Sequence, residues 1–141
     1  MDDGNTITFT KTGTFADIQS YFAGEHGWSV RTSGGGTNGT LEWDFGSDVT
    51  GLFFKLADFD ENETYTVDVY DDTNTLIDLG TSGNVYQLGA YINQNGNTFN
   101  DKFIGNGINN NGDAVGSDPF GSVYFYFPST AVSRIVFTVL Q

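Results

Sequence analysis

The sequence has no cysteine, one histidine, one methionine and two prolines in 141 residues. Without thiols there is no disulfide framework, no thiolate nucleophile and no cysteine-built zinc site, and the redox compartment is left open. His26 is the lone imidazole, so a zinc site would need carboxylates for its other ligands, and none is expected. Cations are scarce too: Lys11, Arg31, Lys55, Lys102 and Arg134 stand against eighteen acids, for a formal charge of -13. A surface this acidic repels phosphate backbones and anionic lipid, which argues against nucleic acid as a partner and leaves divalent cations and neutral sugars acceptable. No apolar run approaches the roughly 20 residues that span a bilayer, so no membrane insertion is expected. The start Met1-Asp2-Asp3-Gly4 carries neither a basic nor an apolar signal region and is read as the beginning of a domain cut from a longer precursor.

What is abundant points to β-structure. Nineteen glycines, thirteen phenylalanines and seven tyrosines supply turns and pleated-surface residues in place of helix formers. The length fits one hydrophobic core, read as a single domain over residues 1–141. Apolar residues recur at every second position in Ile7 and Phe9, in Leu41, Trp43 and Phe45, in Leu52, Phe54 and Leu56, and in Tyr65, Val67 and Val69. They do so again in Val123, Phe125 and Phe127 and in Ile135, Phe137 and Val139. Such alternation is the signature of half-buried strands. Fainter strands are expected over residues 28–32, 75–79 and 84–91, for a total of about eight or nine, the spacing of an all-β, antiparallel two-sheet β-sandwich of jelly-roll type. One short helix is expected over residues 15–22, where Phe15, Ile18 and Phe22 share a helical face and Thr14 offers an N-cap. Residues 71–74, Asp-Asp-Thr-Asn, read as a hairpin turn. From Asn93 to Gly121 periodicity is lost in favour of Asn, Gly and Asp, with Phe99, Phe103, Ile104 and Ile108 as apolar anchors of a packed loop.

The runs Gly39-Thr40-Leu41-Glu42-Trp43-Asp44-Phe45, Val49-Thr50-Gly51-Leu52-Phe53-Phe54 and Thr64-Tyr65-Thr66-Val67-Asp68-Val69-Tyr70-Asp71-Asp72, with the closing Val132-Ser133-Arg134-Ile135-Val136-Phe137-Thr138, cover a third to a half of the chain. They resemble strands of secreted bacterial β-sandwich domains, of the kind found in PEP-CTERM-associated exoproteins and carbohydrate-binding-module-like jelly rolls. The resemblance implies a β-sandwich in a secreted or cell-surface setting. The chain departs from the exoprotein pattern in lacking the C-terminal Pro-Glu-Pro sorting signal.

Aromatic residues give the main candidate site. Phe53, Tyr70, Tyr124 and Tyr126 fall on the opposite faces of their strands from the inward residues, with Lys55, Asp68 and Arg134 as polar neighbours. Flat rings stack on the apolar faces of sugars while nearby polar groups bond the hydroxyls. Trp28 and Tyr91, with Tyr86, offer a loop-end alternative. A candidate calcium loop places Asn109, Asn111 and Asp113 at alternate positions with Asp118 nearby, oxygen donors of the type calcium takes. It is not an EF-hand, because Ala114 occupies the position of the turn glycine. A second acidic stretch, Asp58-Phe59-Asp60-Glu61-Asn62-Glu63, reads as a charged turn. For catalysis there is no Gly-x-Ser-x-Gly elbow, and Glu42, Asp44 and Asp68 read as outward polar positions of amphipathic strands in preference to a glycosidase pair.

The expectation is therefore a non-catalytic extracellular binding module that takes a glycan or cell-surface polysaccharide and is stabilised by calcium. The rival expectation is a self-assembling structural subunit or adhesin domain of a surface filament or layer, in which the off-face aromatics are buried between copies and the strand over residues 5–10 extends a neighbour's sheet.

Overall fold

Alternating sequence becomes alternating faces. The computed structural model describes residues 7–13, 15–22, 25–32, 39–56, 64–101 and 121–140, and all regular structure among them is β. The strands are β1 (Thr8–Gly13), β2 (Phe15–Phe22), β3 (Glu25–Thr32), β4 (Gly39–Val49), β5 (Leu52–Leu56) and β6 (Thr64–Asp71). They continue with β7 (Val85–Leu88), β8 (Ile92–Asn95), β9 (Thr98–Asp101), β10 (Val123–Phe127) and β11 (Val132–Leu140). Six make one sheet in the order β1-β4-β11-β6-β9-β8, three make a second in the order β5-β10-β7, and β2 pairs with β3. Every pairing is antiparallel.

The two larger sheets form a β-sandwich, since their buried faces meet. Leu41, Phe45, Val67, Val69, Ile92, Phe99, Ile135 and Phe137 from the six-stranded sheet share one core with Leu52, Phe54, Val123, Phe125 and Phe127 from the three-stranded sheet. Aromatic rings stitch across the gap: Phe54 meets Trp43 edge-on at 6.0 Å and Phe137 at 5.9 Å, and Phe125 meets Phe99 at 5.4 Å. Within its own sheet Phe54 stacks on Phe125 at 4.6 Å. Burying a side chain of this size contributes about 1.5–3 kcal/mol, so these rings carry much of the fold. At the margin of this core the indole Nε1 of Trp43 is buried with no acceptor among the described residues.

The six strands with clear alternation are all present, as β1, β4, β5, β6, β10 and β11. The helix expected over residues 15–22 is not: the segment is strand β2, paired with β3 through Ile18 opposite Val30 and Phe22 opposite Glu25. The helical spacing of Phe15, Ile18 and Phe22 coincides with a second pattern. Over residues 16–19 apolar Ala16 and Ile18 alternate with polar Asp17 and Gln19, the period of a strand, and β3 begins three residues after Phe22. Two turns of isolated helix are too short to hold against that pairing. Residues 75–79 form no strand either; a single bridge joins Leu76 to Tyr70, and the chain then turns. Conversely, the stretch that loses periodicity after Asn93 contains the β8–β9 hairpin, with Asn95 opposite Thr98 around Gly96 and Asn97. Gly96 sits at φ 58°, the left-handed value that a two-residue hairpin loop requires and glycine supplies without strain.

Candidate functional site

The outer face of the three-stranded sheet is built by the same alternation that fills the core. On β10, Val123, Phe125 and Phe127 point inward, so Tyr124 and Tyr126 point out. On β5, Leu52 and Phe54 are buried and Phe53 and Lys55 take the other face. The register sets Tyr126 opposite Phe53 and Tyr124 opposite Lys55. Phe53 is thereby the hub of a small aromatic patch, 6.3 Å from the Tyr124 ring and 6.4 Å from the Tyr126 ring. Lys55 Nζ lies 5.8 Å from the centroid of Tyr124. Phe53 remains 56% and Tyr126 40% exposed, although apolar area of this kind is normally covered.

Strand β7 extends the patch. Gln87 lies opposite Tyr124 on the side away from Lys55, and both Gln87 and Tyr86 are exposed. The register shifts between Tyr124 and Phe125, which makes Tyr86 an extra residue in β7, 69% exposed. Such a bulge re-aims side chains at a sheet edge. Rings, an amide and an ammonium thus share one open surface that can stack an apolar ring face and bond hydroxyls at its rim. Gln87 carries no signal in the sequence; only the pairing of β7 with β10 brings it there.

The other sequence-derived residues lie elsewhere. Tyr70 alternates with buried Val69 and is on the outer face of the six-stranded sheet, so it is not part of the patch. Arg134 lies over its ring at 3.9 Å, while the same guanidinium reaches Glu42 Oε2 at 3.7 Å and donates to Asn74 Oδ1 at 3.0 Å. Asp68 and Arg134, expected as neighbours of the aromatics, belong to that sheet as well. Tyr91 is half-buried in the short turn between β7 and β8. Trp28 is in β3, and its side chain lies outside the described residues. Asn109, Asn111, Asp113 and Asp118 of the calcium loop, and the acidic stretch from Asp58 to Glu63, also lie outside the described residues. Among the described residues no three His, Cys, Asp or Glu side chains gather as a metal would need.

Of the acids weighed for glycoside hydrolysis, Glu42 and Asp68 both stand in register with Val136, on either side of β11. Both are partly buried, with Glu42 paired to Arg134 and Asp68 Oδ1 3.5 Å from Asn97 Nδ2.

Fold and patch together define a class, an antiparallel β-sandwich with exposed aromatic rings on the outer face of its smaller sheet. No family model, no curated protein and no solved structure matches the chain.

Proposed function

We propose that this protein is a non-catalytic, extracellular carbohydrate-binding module whose ligand stacks on Phe53, Tyr124 and Tyr126. The observation that carries the reading is the contiguity of those rings on one open face, with Phe53 as the shared neighbour. A hydrophobic patch of this kind, exposed on an otherwise acidic and polar chain, is stabilised when something flat covers it. Sugar rings present an apolar face to the aromatics and hydroxyls to Lys55 and Gln87. A neutral glycan also avoids the repulsion that a charge of -13 imposes on anionic ligands. Calcium belongs to the reading through the oxygen-rich loop of Asn109, Asn111, Asp113 and Asp118, as a stabiliser of the domain and not as a reactant.

The test is binding of the purified chain to a panel of soluble and insoluble neutral polysaccharides, by isothermal titration and by depletion. Phe53→Ala combined with Tyr126→Ala is expected to weaken binding at least about tenfold, the loss of one to two kcal/mol that stacked aromatic pairs contribute. Tyr70→Phe, on the other sheet, is expected to leave affinity unchanged. Retention of full affinity by a folded Phe53/Tyr126 double variant would sink the proposal.

A further inference from the structure

The aromatic residues of the smaller sheet form a track from one of its edges to the other. Strands β5 and β7 are those edges and β10 is the centre. Phe53 stands on β5, Tyr124 and Tyr126 on β10, and Tyr86 on β7, so every strand supplies a ring. Neighbouring strands lie about 4.8 Å apart, which puts at least about 10 Å between the backbones of Phe53 and Tyr86. A sugar ring covers an area similar to that of an aromatic ring, so the track is longer than a single sugar.

Both ends of the track are open. Among the described residues Tyr86 and Phe53 have the two most exposed large hydrophobic side chains, at 69% and 56%, while Tyr124 between them is half-buried. A wall closing either end would bury the ring beside it, and neither end ring is buried. The bulge contributes at β7: Val85 packs on the core and Gln87 lies opposite Tyr124, which leaves Tyr86 unpaired between them. The polar groups flank the middle of the track, since Lys55 and Gln87 stand opposite Tyr124 from its two sides. A site for a chain end needs the reverse arrangement, a closed wall with polar groups gathered at it to meet the terminal hydroxyls.

The ring planes also differ. Tyr124 is tilted by 36° and Tyr126 by 61° from the plane of Phe53. A crystalline face is one plane and lies flat on only one such ring at a time, whereas a single chain turns about its glycosidic bonds and offers each ring a different sugar. Resting on the carbohydrate-binding reading above, we infer that the patch grips the interior of a single neutral polysaccharide chain. That chain crosses the three strands from Phe53 over Tyr124 to Tyr86, and neither a chain end nor a crystalline face is the ligand.

The probes are soluble xylan, mannan and mixed-linkage β-glucan, with crystalline cellulose and chitin as solids. Oligosaccharides of about two to about six sugars, from shorter than the track to longer, complete the set. A soluble polymer is expected to bind and the crystalline solids are not, and affinity for its oligosaccharides is expected to climb with length until the track is filled. Tyr86→Ala is expected to weaken binding of the longest oligosaccharide about fivefold to tenfold, the share of one stacked ring, and that of the disaccharide less than about twofold. Only the longer chain reaches β7. Partial hydrolysis of the bound polymer, to fragments still longer than the track, multiplies its ends and is expected to leave the protein held per gram unchanged. Thermal midpoints establish that the variant is folded. Capacity that rises with the number of ends, crystalline solids bound as tightly as the soluble polymer, or a Tyr86→Ala variant that changes every length alike or none, overturns the inference while leaving the carbohydrate reading in place. Binding to none of the probes removes both.

Discussion

Asn97 joins three segments that are distant in sequence. Its carbonyl accepts the Val67 N–H at 2.9 Å, its Oδ1 accepts the Leu79 N–H at 2.8 Å, and its Nδ2 donates to the Ile77 carbonyl at 3.0 Å. The side chain therefore does for residues 77–79 what a neighbouring strand would otherwise do, and Leu79 enters the core behind it. Removing it strands a backbone donor and a backbone acceptor in partly buried surroundings, a loss of about 1–3 kcal/mol. Urea unfolding of Asn97→Ala is expected to show that drop; a change within a few tenths of a kcal/mol would mean that water replaces the amide at no cost. Asp71 has a comparable local role at the turn. Its Oδ1 accepts from the Thr73 hydroxyl at 2.7 Å and from the N–H groups of Thr75 and Thr73 at 2.8 and 2.9 Å. The Thr73 hydroxyl foremost, then the two backbone donors, hold its carboxyl below the ordinary carboxylate value. Because the folded value is depressed, the carboxylate adds stability above the unfolded value, and that contribution is lost as pH falls through the folded one. An NMR titration of Asp71 is expected to show the depression and to show it reduced in Thr73→Val; an unchanged titration in that variant would assign the effect to the backbone donors alone.

At the scale of elements, legibility followed how long a pattern ran without interruption. Strands β4, β6, β10 and β11 place buried Val, Ile, Leu and Phe at alternate positions, and they are the strands whose pairing fills the centre of the sandwich. Strand β8 has one buried apolar residue, Ile92, in four, and β9 has only Phe99, so neither shows a period long enough to count. What makes them strands is the Gly96 turn between them and the edge that β6 offers to β9, both of which are tertiary facts. The same limit explains the site. That Phe53, Tyr124 and Tyr126 point away from the core was legible from alternation, but Tyr70 shows the same alternation and belongs to the other sheet. Which outer face a residue joins depends on strand order, and β5 pairing with β10 while β6 pairs with β11 is not written in either period. Helix and strand compete at β2 because Phe15, Ile18 and Phe22 fit the helical period while Ala16 to Gln19 fit the strand period, and pairing with β3 decides between them.

At the scale of the whole molecule, charge works against the fold. Eighteen acids and five cations on one 141-residue chain raise the electrostatic energy of the compact state relative to the unfolded one, in which charges lie farther apart. Arg134 uses its charge locally, on Glu42 and on the ring of Tyr70, so it does little to offset the total. Screening weakens this self-repulsion without discrimination, and monovalent salt is expected to raise the thermal midpoint at neutral pH, most steeply over the first few tenths molar where the Debye length falls to less than the size of a domain. The proposed calcium would relieve the repulsion by a different route: a cation held by Asn109, Asn111, Asp113 and Asp118 would add two positive charges at one place, and at about 100 times its dissociation constant would stabilise the folded state by about 2.7 kcal/mol. The two routes separate in a single series of thermal unfolding curves at matched ionic strength, with sodium, magnesium or calcium as the cation and EDTA as the reference. A calcium shift well above the magnesium shift, and abolished by Asp113→Asn, assigns the excess to the loop, because magnesium carries the same charge but requires a tighter octahedral geometry. Equal shifts for the two divalent ions, indifferent to Asp113→Asn, reduce calcium to a counterion of an acidic sandwich and leave its stability to the aromatic core and to salt.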